Sequence, residues 1–339
     1  MIFYIGCDII SAIESMEGYG VYTFDEFEFE SGAVLKDVKV EYFLTGTPKY
    51  DGEGNITNMV LYFHGFNGDY SSINENYILM AEDNVLSRED YFFVSITSLG
   101  LPSSCSPSTT GLKHAFPTYT IKDRVNFKRQ FLLENFKFKK ILGFIGRSLG
   151  GFEIFTWACE FPDDMEFIIV VCSSFKTNGY RYVFSKGVGS IFDSADNFYD
   201  DIYSDSLSKM LVSVNMIIYT NMFPKDVFQK LSNDEIDVLM DDFVDEGLFV
   251  DPYDLKFRND AILNFDVESK LHNIKAKSLI FASNSNVYFD YEFDTKPLKD
   301  LIKDSKIVLL DSDYDDYLDF NPCKLIGKDV GEFLNQFKK

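Results

Sequence analysis

Ser148 is the residue whose surroundings point most directly to chemistry. It sits in Gly143-Phe144-Ile145-Gly146-Arg147-Ser148-Leu149-Gly150-Gly151, which contains the pattern Gly-x-Ser-x-Gly. An apolar run at 141–145 precedes the serine, and a helical pattern at 152–160 follows it. A strand, a sharp turn and a helix in that order form a nucleophile elbow, which lifts the serine hydroxyl out at the top of a sheet. Gly146 and Gly150 have no Cβ at the crowded positions, so strand and helix can approach closely. The start of the helix offers backbone N–H groups to a developing oxyanion. The chemistry this implies is attack of a serine oxygen on an acyl carbon. The same residues also read as a tight strand–helix turn with a solvent-facing serine and no chemistry.

A serine hydroxyl is a poor nucleophile near neutral pH and needs a positioned base. Where a strand–elbow–helix unit carries a triad, the chain order is serine, acid, histidine. This chain has three histidines, His64, His114 and His272. His272 precedes the apolar run at 278–283 whose end would carry the acid, so it cannot be the third member in that order. His64 opens the glycine loop His64-Gly65-Phe66-Asn67-Gly68-Asp69, where a structural role, bonding its own loop, is expected. His114 falls in a long Ser-, Pro-, Gly- and Thr-rich loop at 98–120 and is expected at the surface. Other chemistries find little support. Asp311-x-Asp313-x-Asp315 resembles the start of a calcium loop, but Asp316 replaces the glycine at the sixth position and Pro322 the glutamate at the twelfth. No His/Cys cluster suggests zinc, and no G-x-x-x-x-G-K phosphate loop occurs. The 35 phenylalanines and 20 tyrosines read as packing.

The elements that would position Ser148 follow from the hydrophobic pattern. Residues 24–30 and 34–44 read as strands around a turn at Gly32. The short apolar runs at 59–63, 91–96, 141–145, 167–172, 278–283 and 307–310 read as buried strands. Helical patterns at 121–136, 152–160, 296–303 and 325–337 alternate with them. Such alternation predicts a mostly parallel sheet covered on both faces by helices. The alternation breaks between about 175 and 270, where helices are predicted at 205–222, 225–231 and 233–243 without a core strand. The expected organisation is therefore a core at 1–174, a helical cap at 175–270, and the second part of the core at 271–339.

With 339 residues, 46% of them hydrophobic, the chain is long enough for one large α/β domain with an insertion. Its 54 acidic and 32 basic residues give a net charge of −22, which repels nucleic acid and anionic lipid and excludes both as partners. Five cysteines, Cys7, Cys105, Cys159, Cys172 and Cys323, show no C-x-x-C spacing. Their odd number and scatter suit a reducing, cytoplasmic setting, with Cys159 and Cys172 expected as buried thiols. Residues 1–11 are apolar but broken by Gly6 and Asp8, and they make a poor signal peptide. No apolar run reaches membrane-spanning length.

Taken together, several segments resemble the homoserine O-acetyltransferases of the α/β-hydrolase superfamily. Glu30-Ser31-Gly32-Ala33-Val34-Leu35, the segment 58–64 with Gly68-Asp69, Phe116-Pro117-Thr118-Tyr119-Thr120-Ile121-Lys122-Asp123, the elbow with Trp157-Ala158, Phe161-Pro162-Asp163, and Phe265-Asp266 follow that family's motifs in order and spacing. The resemblance implies an α/β-hydrolase fold, with an eight-stranded type of sheet and an inserted helical cap. It also implies a ping-pong acyl transfer, from acetyl-CoA as donor to an amino-acid hydroxyl, with no permanently bound cofactor and no metal. It places Ser148 at the nucleophile and the backbone N–H groups of Phe66 and Leu149 at the oxyanion hole. It implies a homodimer through cap helices. The family's cap arginine falls near Gly189. Asn286 stands where the triad aspartate belongs and Tyr314 where the triad histidine belongs. Tyr314 would act as base only with its pKa, normally near 10, strongly lowered, and Asp313, Asp315 and Asp316 push the other way. The expectation is a divergent member that keeps the elbow and oxyanion loop, has a degenerate triad and no longer performs the acetyl transfer. The alternative is a working serine acyltransferase or ester hydrolase with a non-standard base, Tyr314 or His114.

Overall fold

The computed structural model describes residues 18–76, 85–195, 198–200, 202–221, 223, 227–248, 250–310 and 323–337. Among these, eight strands form one sheet: β1 Gly18–Glu28, β2 Val34–Gly46, β3 Met59–Phe63, β4 Phe92–Ile96, β5 Ile141–Arg147, β6 Met165–Val171, β7 Lys277–Ser283 and β8 Ser305–Leu310. Their order is β1-β2-β4-β3-β5-β6-β7-β8. The first two strands pair antiparallel, as do β2 and β4, and every pairing from β4 to β8 is parallel. All five residues of β3 are buried, as are all of β4. Strands covered on both faces read as unbroken apolar runs, which is why these short segments stand out in the sequence.

The helices are α1 Ile121–Asn135, α2 Leu149–Glu160, α3 Gly179–Asp193, α4 Asp205–Thr220, α5 Val227–Lys230, α6 Asn233–Leu248, α7 Pro252–Leu263, α8 Leu298–Leu301 and α9 Cys323–Leu334. A capping box starts α1: Thr120 Oγ1 accepts from Asp123 N at 3.1 Å, and Asp123 Oδ2 accepts from Thr120 N at 2.8 Å. Trp157, fully buried on α2, donates its Nε1–H to Asp164 at 2.9 Å and so ties the helix to the approach to β6. Cys105, Cys159 and Cys172 are buried. No helix among the described residues is long and apolar enough to cross a membrane.

Five helices, α3 to α7, lie between β6 and β7. Helices α3, α4 and α7 share a small core of their own, including Val188, Phe192, Leu211, Val214, Ile218 and Tyr253, and α4 meets α5 and α6 in a second cluster around Tyr219, Phe223 and Phe243. The regions predicted as helical at 205–222, 225–231 and 233–243 correspond to α4, α5 and α6. Two helices are additional to that expectation. In α3, Gly187 and Gly189 and several aromatic and β-branched residues lower intrinsic propensity. In α7 the buried residues include Tyr253, Asp254, Leu255, Arg258, Asn259 and Ile262, which circle the axis and leave no apolar stripe. Its start signal is nonetheless present, with Asp251 as N-cap and Pro252 in the first turn. The helix predicted at 296–303 is shorter than expected: only Leu298–Leu301 is α-helical, behind a π-turn at Tyr291–Thr295.

Two buried contacts fasten this insertion to the sheet domain. Asp254 on α7 accepts from Ser108 N at 2.9 Å, Ser108 Oγ at 2.6 Å and Ser106 Oγ at 3.1 Å, which ties the helix to the long loop at 98–120. Arg181 on α3 pairs with buried Asp294 in the segment after β7. Its Nη1 also donates to Tyr288 O at 3.0 Å.

Candidate active site

The site begins where β5 ends. Arg147 pairs with Val171 in the register with β6, and the chain then turns sharply at Ser148 into α2. Ser148 holds φ +50° and ψ −122°, a region that L-residues avoid and that costs about 1–3 kcal/mol. The surroundings hold it there. Its N–H reaches the carbonyls of Val171 and Cys172, each at 3.1 Å, and its carbonyl accepts from Ser173 Oγ at 2.8 Å and Gly151 N at 2.9 Å. The glycines are required sterically. A Cβ on Gly150 would lie 2.3 Å from Phe63 O, and one on Gly146 would lie 2.7 Å from Phe63 Cβ. Strand β3, strand β5 and helix α2 converge closely enough that only glycine fits between them.

The loop after β3 faces this turn. His64 is fully buried, and its ring is fixed at both nitrogens. Nε2 accepts from Ser98 N at 3.1 Å, so Nδ1 carries the proton and donates to Gly65 O at 2.9 Å. The expectation that His64 bonds its own loop is met. Behind it lies a buried ionic cluster. Ser98 Oγ donates to Glu153 Oε1 at 2.9 Å, and Glu153 pairs with Arg124 and with Lys128, each at 2.8 Å. Burial pushes the imidazole of His64 down to about 3, with Lys128 adding to the effect, so the ring stays neutral. Burial also lowers Lys128 to about 8, against the pull of Glu153. Burial alone would raise Glu153, but Arg124 and Lys128 outweigh it and hold the carboxyl down at about 2. The loop is also clamped from α7. Arg258, buried, stacks its guanidinium 4.2 Å from the Phe66 ring centre, and its Nη2 lies 3.4 Å from Asn67 Oδ1.

Elbow, loop and insertion enclose a cavity of about 260 Å³. Ser148, Phe66 and Leu149 all border it, so the nucleophile position and both oxyanion positions named from the sequence share one space. Phe184, Ser185, Ile218 and Tyr219 come from α3 and α4, and Asn259 and Ile262 from α7. Gly189, where the cap arginine would fall, sits beside Asn259: a Cβ there would be 3.7 Å from Asn259 Nδ2.

The histidines do not meet Ser148. His114 is exposed on the turn Lys113–Ala115, and His272 is exposed within Glu268–Asn273. His64 is locked beneath the loop, and no histidine of the chain lines the cavity. Asn286 lies in the loop after β7, where its Oδ1 accepts from Phe289 N at 2.7 Å and so closes its own turn. Its neighbours Tyr288 and Phe289 do border the cavity. Burial pushes the Tyr288 phenol up to about 12, which removes it as a base near neutral pH. Tyr314 and the Asp311-x-Asp313-x-Asp315 run lie outside the described residues. No group of three or more potential metal ligands occurs among the described residues.

Sequence reasoning passes over Arg147. It occupies a variable position of the elbow pattern, yet it is the one charged side chain among the described residues that line the cavity. The ionic cluster is also missed, because Arg124 and Lys128 stand on α1 and their partner Glu153 on α2, and no local spacing links them. The signal is Glu153, alone among the apolar residues that open α2.

Comparison with known proteins agrees with this geometry. Residues 58–319 match the family model for the alpha/beta hydrolase fold. A probable acyltransferase of Methanothermobacter thermautotrophicus is 39% identical over 86% of this chain and 90% of its own length. A homoserine O-acetyltransferase of Methanosalsum zhilinae is 26% identical over 86% of this chain and 61% of its own length. Among solved structures, that of esterase E22 superposes with a TM-score of 0.80 at 18% identity, covering 93% of this chain and 99% of the other. With its eight-stranded sheet, its glycine-framed elbow and these relatives, the chain belongs to the α/β-hydrolase fold family, and its resemblance to the homoserine O-acetyltransferases holds along most of its length.

Proposed function

We propose that this chain binds a small acyl compound in the cavity at Ser148 but does not carry out the acetyl-CoA:homoserine transfer of its relatives. One observation carries the reading: none of the three histidines lines the cavity. Acyl transfer to serine forms the Oγ–C bond and breaks the bond from the acyl carbon to its leaving group. The hydroxyl proton must pass to that leaving group, and a base has to carry it. In a well-studied serine protease, loss of the histidine lowers kcat by about 10⁶. Asn286, at the triad-acid position, engages its side-chain oxygen with Phe289 N, and an amide cannot supply the negative charge that would stabilise an imidazolium.

A second reading rests on a specific observation. Ser148 keeps a φ of +50°, a strained conformation that a passive turn would relieve with glycine. This favours a serine acyltransferase or ester hydrolase that works with a non-standard base. Intact-protein mass after incubation with acetyl-CoA, and separately with p-nitrophenyl acetate, tests both. The first reading expects no acetyl adduct on the folded chain. An adduct mapped to Ser148 overturns it in favour of the second.

A further inference from the structure

We propose that the cavity at Ser148 is selective for an acyl compound carrying a benzene-sized aromatic ring. The inference rests on the reading of that cavity as an acyl site, and it adds the class of ligand. Among the described residues six aromatic side chains border the cavity: Phe66, Phe152, Phe184, Tyr219, Tyr288 and Phe289. Four of them form one continuous run of rings. Phe184 on α3 meets Tyr288 edge to face, with ring centres 5.5 Å apart and planes at 80°. Tyr288 meets Phe289 at 4.9 Å and 88°, and Phe289 meets Phe152 at 6.1 Å and 85°. This aromatic wall runs from the insertion, through the loop after β7, to the start of α2 just past Ser148.

Size and polarity narrow the ligand further. The cavity measures about 260 Å³. An apolar cavity of about 150 Å³ suffices for benzene, and two such rings would need about 300 Å³. The space therefore suits one phenyl ring with a short ester group beside it. The lining amides offer little to a polar ligand, because each already donates to the protein. Asn67 Nδ2 reaches Tyr219 Oη at 3.3 Å, Asn221 Nδ2 reaches Ile217 O at 2.8 Å, and Asn259 Nδ2 reaches Ser185 O at 3.0 Å. Arg147, the one charged lining residue, already has a partner within the chain. Aromatic rings gain more from meeting a further ring edge to face than the buried area alone supplies. An acetyl group would leave most of this wall uncovered.

Methyl benzoate, methyl cyclohexanecarboxylate and methyl acetate form the probe set. All three are neutral, and the first two differ in whether the ring is aromatic. Ligand-observed NMR titration of the full chain is expected to show methyl benzoate binding roughly ten- to a hundredfold more tightly than methyl acetate, the range for burying an apolar group of that size. It should also bind about two- to tenfold more tightly than the cyclohexane ester, the range of an aromatic pair beyond its buried area. Phe184→Leu keeps hydrocarbon at the end of the wall but removes its ring, and it should narrow the preference for benzoate over the cyclohexane ester. The probe series on the unaltered chain stands even if Phe184→Leu does not fold. Equal binding of benzoate and acetate, a cyclohexane ester bound at least as tightly as benzoate, or a preference that Phe184→Leu leaves intact overturns the aromatic class alone. Binding of none of the three esters to the folded chain overturns the reading of the cavity as an acyl site, and this inference with it.

Discussion

Replacing Glu153 by Gln tests whether the charged cluster under the oxyanion loop is a structural unit. In the native chain Glu153 is completely buried and faces two completely or almost completely buried cations, Arg124 and Lys128, each 2.8 Å away. The neutral amide of Glu153→Gln would fill the same volume but leave both cations without a counter-charge. Removing one partner of a buried pair costs about 3–5 kcal/mol, a large share of a typical stability of about 5–15 kcal/mol. At about 2–4 °C per kcal/mol, the midpoint should fall by about 10 °C. The loss should depend on pH, and the sign follows from Lys128. Its folded value, about 8, lies below the ordinary 10.5, so folding releases a proton and stability from this group rises as pH climbs through that window. Without Glu153 the lysine is pushed lower still and can shed its charge more readily. The penalty of Glu153→Gln should therefore be larger at pH 6 than at pH 9. Adding Lys128→Met removes one orphaned charge and should recover about 1–2 kcal/mol at pH 6. Thermal melts at both pH values check this. A variant within about 1 kcal/mol of wild type at both, with no recovery from Lys128→Met, would refute the reasoning.

Three further expectations follow from the same structure. Gly150→Ala puts a Cβ 2.3 Å from a backbone carbonyl and should destabilise by more than about 3 kcal/mol, whereas Gly189→Ala meets nothing closer than 3.7 Å and should leave the melting midpoint almost unchanged. Ser148→Gly relieves the positive φ and should raise stability by about 1 kcal/mol in urea titrations, a sign that strain is stored at this residue. Burial raises the Asp254 carboxyl to about 6 from 3.8, so its contribution is fully present below pH 4 and is lost as pH rises through 6. Over that window the loss amounts to about 3 kcal/mol. Asp254→Asn should flatten the slope of stability against pH in the same urea titrations, since an amide still meets Ser106 and Ser108, whose hydroxyls can accept.

The sheet was legible because β3, β4, β5, β6 and β7 are short apolar runs whose burial on both faces leaves little room for polar residues. The elbow was legible because the crowding at Phe63 admits only glycine at positions 146 and 150. The separation of histidine from serine could be argued from chain order, and the geometry agrees. What escaped notice depended on tertiary context. Nothing local marks Arg124 and Lys128 as buried, since their partner Glu153 comes from another helix. Asn286 looks like a lost aspartate, but its present bond to Phe289 N belongs to a loop whose turn no pattern announced. Arg147 drew no attention because the motif leaves its position open, and only the cavity shows that no other described lining residue is charged. Helix α7 lacked a stripe because the protein surrounds it.

The central claim is a nucleophile position without its base, and the rate of acetyl transfer from acetyl-CoA to homoserine, measured with wild type and Ser148→Ala, tests it most directly. Enzymes commonly turn over at about 10 s⁻¹, and loss of the histidine removes about 10⁶ of that. The account predicts a Ser148-dependent rate of about 10⁻⁵ s⁻¹ or less. A rate near about 1 s⁻¹, ordinary for an enzyme, that Ser148→Ala abolishes would contradict it and would mean that another group serves as the base.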